Sequence, residues 1–293
     1  MGTILVLIAA LMWSFVGILV KTAAIMVNSS VISVARFLFG VIFLGGLLLF
    51  RDGKIKLHGY SKWIWIGAIG KSLNYIFENI AISLGFSYGN ILVMPLQAIF
   101  LVGVSALYFK ETIKSKHWVA IGLCIIGVFL VSWNGLPLDI LFQSNSITTL
   151  LFTLAAIGCG FHALSQKMLI QTMDSASMNF SVFFWSILLT SIPLSPTFQW
   201  TGIINGWSVF SLIVLGFITG ISFYIYANAL KHMSFVVASI LSNSSALFTL
   251  LWSRLFYKEQ ITHYIVWGTV LFLAGVTILN IPANKFLRKN SAV

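Results

Sequence analysis

The sequence predicts an all-α integral membrane protein of ten transmembrane helices, arranged as two inverted five-helix repeats. Three observations carry this prediction. Hydrophobic residues make up 59% of the 293 positions and charged residues only 8%, with a mean hydropathy of +1.01. Soluble domains average about 25% charged residues, so these charges are too few to cover a water-facing surface. The apolar residues gather in ten runs of roughly the ~20 residues that cross a bilayer, and the second half of the chain repeats features of the first at a nearly constant offset.

The first run, residues 3–20, has no basic segment ahead of it. Lys21 follows it without a small-residue cleavage site, so it reads as a span and not as a secretion signal. Spans 31–50, 63–84, 91–109 and 118–133 complete a first unit, residues 1–139. A second unit, 140–293, holds spans 147–164, 178–194, 207–230, 235–257 and 264–281. Trp63, Trp65, Trp118, Trp133, Trp207 and Tyr264 stand at span ends, where amphipathic rings sit at the membrane interface. Ten spans leave about 29 residues for each span with its loop, which excludes a sizeable soluble domain.

The formal net charge of +11 does not point to nucleic acid, because the basic residues lie in short segments between apolar runs. With the N-terminus inside, the inner segments hold Arg51, Lys54, Lys56, Lys62, Lys110, Lys114, Lys116, Lys231, Lys285, Arg288 and Lys289, and the outer ones only Lys258. This bias places both termini in the cytoplasm of a multi-pass protein of the cytoplasmic (plasma) membrane. Lys21, Arg36, Lys71, Lys167 and Arg254 lie in or beside spans, and Arg36 and Arg254 read as snorkelling structural residues. Cys124 and Cys159 both fall within apolar runs, so no disulfide framework is expected.

A shift of 148 residues superposes Lys110-Glu111 on Lys258-Glu259, Ile113 on Ile261, Leu123 on Leu271 and Gly127-Val128 on Gly275-Val276. A shift of 146 superposes Lys21 on Lys167. Five spans per unit is an odd number, so the second unit enters the membrane inverted. Inverted halves that rock against each other open a central site to each side in turn. The ten spans, the inverted repeat and the Lys-Glu pair closing the fourth span of each half resemble the EamA-type transporters of the drug/metabolite transporter superfamily. The motifs are Lys110-Glu111-Thr112-Ile113 with Gly127, and Lys258-Glu259-Gln260-Ile261 with Gly275. The resemblance covers essentially the whole chain. It implies secondary transport of small organic metabolites through a cavity lined by spans 1, 3, 4, 6, 8 and 9, with spans 5 and 10 set back. The family often has proline in the middle of spans four and nine. Here span four has Pro95, but its mate is Asn243, so either the second half lacks that kink or Asn243 has another role.

Ionisable residues inside a membrane are costly, about 2.5–3.5 kcal/mol each on insertion scales, and they mark functional sites by default. In span three, Lys71, Asn74, Tyr75 and Glu78 share one face at i, i+3, i+4 and i+7. Their repeat mates in span eight include Thr219, Ser222 and Tyr226. Two such stripes facing each other would line a cavity; the alternative is that Lys71 and Glu78 neutralise each other and fix packing. Gln97 in span four and Asn243 in span nine are further cavity candidates, with interhelical hydrogen bonding as the alternative. His162 and Gln166 share a face of span six, where His162 suits proton relay or simple packing. Trp13 in span one offers a stacking ring or a core side chain. Glu111 and Glu259 read as structural caps of the next helix, and Gly216 with Gly220 as a close-packing pair.

The expected activity is therefore transport of a small organic molecule, an amine or an amino-acid-like compound. Glu78, the only acid deep in a span, would meet a cation, helped by the ring faces of Tyr75 and Tyr226, and Lys71 would meet an anionic end. The alternative is an exporter of amphipathic drugs or other metabolites in which Glu78 only carries protons as the coupling ion. A non-transporting receptor or scaffold does not account for the paired polar stripes. An enzyme is not expected: the histidines at 58, 117, 162, 232 and 263 are scattered, and no carboxylate is spaced with His162 for metal binding. No phosphate-binding glycine loop occurs, so ATP-driven pumping by this chain is not expected, and no cofactor is expected. The sequence leaves the oligomeric state open.

Overall fold

The structure, a computed structural model, describes residues 1–108, 110, 114–135, 146–197, 199–233 and 235–280. Glu111, the unit boundary at 139–140 and the basic C-terminal tail lie outside the described residues. Every regular element among the described residues is helical. The first half contains α1 (Gly2–Ser14), α2 (Val16–Ala23), α3 (Ser29–Asp52), α4 (Lys62–Leu84), a 3-10 segment (Ser87–Leu92), α5 (Val93–Leu107) and α6 (Ser115–Trp133). The second contains α7 (Ser146–Leu169), α8 (Ser175–Thr197), α9 (Gly206–Phe217), a π segment (Ile218–Ser222), α10 (Phe223–Ala229), α11 (Phe235–Ser242), α12 (Ser245–Tyr257) and α13 (His263–Asn280).

Seven stretches of the described residues are long and apolar enough to cross a membrane: Gly2–Ala23, Ser29–Asp52, Ser87–Leu107, Ser115–Trp133, Ser146–Leu169, Ser175–Ile192 and Gly206–Ala229. The third, ninth and tenth expected spans are helical but depart from that pattern. α4 carries Lys71, Asn74, Glu78 and Asn79 inside it, α11 and α12 are two short pieces, and the apolar His263–Leu279 is shorter.

The helices pack through small residues, as association in lipid requires. α4 makes its most extensive contact with α7. There a Cβ on Gly70 would lie 2.7 Å from the Gly158 carbonyl oxygen, and one on Gly158 would lie 2.5 Å from that of Gly70. Gly216 and Gly220 bring the α9 end of the bundle onto α3, where a Cβ on Gly220 would sit 2.7 Å from the Gly40 carbonyl oxygen. α6 packs along α13, and α3 along α8.

Polar contacts tie the helices together at two ends. α3 begins at one, where the Asn28 side chain caps it by accepting from the Val31 amide at 3.2 Å. It finishes at the other beside Gly53, in the left-handed region at φ +66°. At the Asn28 end, the Asn28 amide donates to the Gln199 carbonyl and the Thr201 amide to that of Met26. At the Gly53 end, Arg51 pairs with Asp174 at 2.8 Å, and the Trp185 indole donates to the His58 carbonyl at 2.9 Å. Burial pushes the Asp174 carboxyl up, but the hydrogen bonds from Arg51 and from the Ser177 and Ala176 amides outweigh it and hold the group below its usual range.

Four of the long helical paths are interrupted. Phe15 separates α1 from α2, the 3-10 segment precedes α5, the π segment joins α9 to α10, and Asn243–Ser244 separates α11 from α12. Serine hydroxyls bond back to the preceding turn at three of these sites: Ser14 donates to Leu11 at 2.6 Å, Ser222 to Ile218 and Ser244 to Leu241 at 2.7 Å. Such bonds compete with the helix ladder and bend it. The second half therefore does break at the mate of Pro95, without a proline. Irregular backbone at membrane depth is tolerated where it lines a cavity.

Candidate functional site

The interruptions surround a cavity of about 320 Å³, the size of a small-molecule site. Ten of the eleven residues expected from sequence line it: Trp13, Lys71, Asn74, Tyr75 and Glu78 from the first half with Gln97 of α5, and His162, Gln166, Tyr226 and Asn243 from the second. Ser222 is the exception. Its hydroxyl donates to the Ile218 carbonyl inside the π segment, and it is fully buried away from the lining. The wider π turn changes the angular step between residues, so Thr219, Ser222 and Tyr226 no longer repeat the spacing of the α4 stripe. Thr219 instead shares a hydrogen bond with the Tyr75 hydroxyl at 2.9 Å.

Arg36 lines the same cavity. It is only 2% exposed, so it does not snorkel. One guanidinium nitrogen, Nη1, lies 3.3 Å from the Glu78 carboxylate and donates to the Asn79 side-chain oxygen at 2.8 Å. The guanidinium carbon stands 3.5 Å from the centre of the Tyr75 ring, a close cation–π contact. Glu78 is thus not an unpaired acid, and its partner is Arg36 rather than Lys71. The signal that could have found Arg36 was its place in the chain: it lies seven residues into a 24-residue helix, about 10 Å from its start.

Lys71 is 3% exposed. Its ammonium donates to the Asn74 side-chain oxygen at 2.8 Å and faces the rings of Phe223 at 4.3 Å and Tyr75 at 4.4 Å. Asn74 is held in turn by donating to the Ala155 carbonyl of α7 at 3.2 Å. Phe223 is the common neighbour of this face. Its ring centre is 5.1 Å from that of Trp13 and 5.2 Å from that of His162. Gln166 donates to Asn179 at 3.0 Å, so it braces α7 against α8 as well as lining the cavity.

The cavity lining extends along α5 to Ser105 and Ala106 and includes His117 and Leu279, towards the end that carries Arg51. The opposite end is sealed. Ser87, Tyr88, Ile91, Leu92 and Val93 are all buried there. Glu259, 8% exposed, accepts from Lys21 at 2.8 Å, from the Ser87 amide at 2.9 Å and from the Ser87 hydroxyl at 2.8 Å. Lys21 also donates to the Gly85 carbonyl at 3.1 Å. Glu259 therefore caps a helix N-terminus, but that of the distant 3-10 segment and not of the next helix, α13. This latch is not legible in the sequence because Glu259 stands 172 residues from Ser87 and 238 from Lys21.

Comparison with known proteins agrees with the fold. No curated protein matches the chain significantly. A solved crystal structure, described only as that of a protein, is similar over 95% of this chain and 96% of the other. Its TM-score is 0.69 at 15% sequence identity, a likeness of fold alone. The model of the EamA-like transporter family matches residues 1–133 and again 146–281. The chain therefore belongs to the EamA-like transporter family.

Proposed function

We propose that the protein is a secondary transporter that moves a small organic metabolite across the cytoplasmic membrane by alternating access. The observation that carries this reading is the cavity's asymmetry: polar groups from both halves surround it, one end is latched, and the lining continues to the other. Ten spans in two inverted units, 1–139 and 140–293, belong to the same proposal. It is supported by the contact of α6 with α13. A Cβ on Gly127 would meet the Gly268 carbonyl and the Phe272 amide, and a Cβ on Gly275 would meet the Ala120 carbonyl and the Cys124 amide. Under the 148-residue shift each contact becomes the other, with the helices antiparallel, as a two-fold axis in the membrane plane requires.

With both termini cytoplasmic, this conformation faces inward. An amine held by Glu78 alone is not supported, because the Glu78 carboxylate is already engaged by Arg36. An amino-acid-like compound keeps its fit through a carboxylate at Lys71. The substrate and the lipid bilayer are the partners this reading needs. Proton coupling through Glu78 remains a separate reading, distinguished by whether a pH gradient drives uptake. The test uses purified protein in sealed liposomes, with counterflow measured for compounds that raise its unfolding temperature. Saturable counterflow that empty liposomes lack is expected. Binding without any translocation would leave a receptor instead.

A further inference from the structure

The charges and donors lining the cavity do not balance. Among the described residues that line it, Arg36 and Lys71 are cations and Glu78 is the one carboxylate. Arg36 takes that carboxylate at 3.3 Å. Lys71 has a neutral amide oxygen and two ring faces as its neighbours. An ammonium carries three donors, and a desolvated charge without a counter-charge is costly.

Two of the unpartnered polar atoms point the same way. Seven buried side-chain polar atoms of the described residues have no hydrogen-bond partner, and four of them belong to cavity-lining residues: Trp13 Nε1, Arg36 Nε, Asn90 Oδ1 and His162 Nε2. Indole and guanidinium nitrogens can only donate. Trp13 and His162 share the Phe223 ring with Lys71, and Arg36 shares the Tyr75 ring with it. A surplus positive charge therefore sits beside two obligate donors without acceptors, Trp13 Nε1 and Arg36 Nε, whereas Asn90 Oδ1 is an acceptor and the His162 nitrogen serves as either. Buried groups of this kind are rare in native structures and ask for a partner.

We propose that the substrate carries a single anionic group of the carboxylate class, which pairs with Lys71 and accepts further hydrogen bonds from Trp13 and Arg36. One surplus charge matches one carboxylate, whereas a dianionic phosphate ester would overshoot it. This rests on the transport reading above and makes the anionic end, not an amine, the determinant of recognition.

Three compounds with one ring and one chain length isolate the end group: 3-phenylpropionate, 3-phenylpropanamide and 3-phenylpropylamine. Acetate and propionate extend the series to smaller anions, and phenyl phosphate tests the dianion. Binding is measured by calorimetry on the purified full chain. The proposal expects carboxylates to bind and their amide and amine counterparts to bind at least about tenfold more weakly, the size of one charge-assisted hydrogen bond. Lys71→Gln should abolish the difference, and Lys71→Arg should restore part of it. Because Lys71→Gln removes a buried charge, it should fold at least as well as the parent protein. Preference for the amine or the phosphate, no carboxylate binding in the series, or unchanged carboxylate affinity in Lys71→Gln would each overturn the proposal. Counterflow keeps the two readings apart. Carboxylate binding without counterflow sinks transport and leaves the anion site; counterflow of the amine alone sinks the anion site and leaves transport.

Discussion

At the scale of single residues, the pair that decides how the cavity is built is Arg36 with Glu78. Their side chains are only 3% and 10% exposed, so each charge depends on the other. Removing one member of a buried pair leaves an uncompensated charge and costs about 3–5 kcal/mol. Glu78→Gln keeps the shape and loses the charge, so it should destabilise the purified protein by about 3 kcal/mol. The double variant Arg36→Met/Glu78→Gln should recover most of that loss, because it removes both charges together. Denaturant unfolding in detergent measures both. A Glu78→Gln protein as stable as its parent would mean that Arg36 is satisfied by Asn79 alone. Sequence reading could place Glu78 at depth, because span three is polar on one face. It could not place Arg36 beside it, because the depth at which α3 meets α4 is set by packing and not by either helix alone.

At the scale of elements, close packing was legible where glycines were spaced for it, as at Gly216 and Gly220. The interruptions were legible only where a proline announced them. Asn243–Ser244 breaks its helix through serine-to-backbone competition, a weaker signal that also occurs in unbroken helices. The π segment leaves no mark in the sequence, so regular α-helical spacing puts Ser222 on the lining face, where the structure does not. The α4–α7 contact gives the sharpest test of an element. A Cβ on Gly158 would lie 2.5 Å from the Gly70 carbonyl and 2.7 Å from the Asn74 amide, and neither backbone atom can yield without moving a helix. Gly158→Ala should therefore lower the yield of folded protein severely and displace Asn74 and Lys71 from the cavity. Gly103 and Gly122 are helical with open space around them. Alanine there should be neutral or stabilising by up to about 1 kcal/mol. Monodispersity on size exclusion after solubilisation separates the two outcomes, and a normal profile for Gly158→Ala would refute the packing argument.

At the scale of the whole molecule, the latch at Glu259 sets which end of the cavity is closed. It joins α2 through Lys21, the start of the 3-10 segment through Ser87, and the turn after α12 through Glu259 itself. Under the proposed alternating access, opening that end would separate these three segments, and every bond to the carboxylate would belong to one conformation only. Differential contacts of this kind are what shift a two-state equilibrium. Hydrogen bonds to a charged group are worth about 1.5–3 kcal/mol, so Glu259→Gln should raise the population open at that end about tenfold or more. A cysteine at Asn90, which lines the cavity just inside the latch, reports on this in a background where Cys124 and Cys159 are replaced by alanine. In intact cells an impermeant thiol reagent should label Asn90→Cys slowly in the parent and at least about tenfold faster with Glu259→Gln. Two exposed positions calibrate orientation in the same cells: Ile203→Cys should label from outside, and Lys54→Cys should not. If those two controls reverse, the charge-based orientation fails and the present state faces outward. If they hold and Glu259→Gln leaves labelling at position 90 unchanged, the Lys21–Glu259–Ser87 cluster is a fixed brace, and alternating access must open this end by another route.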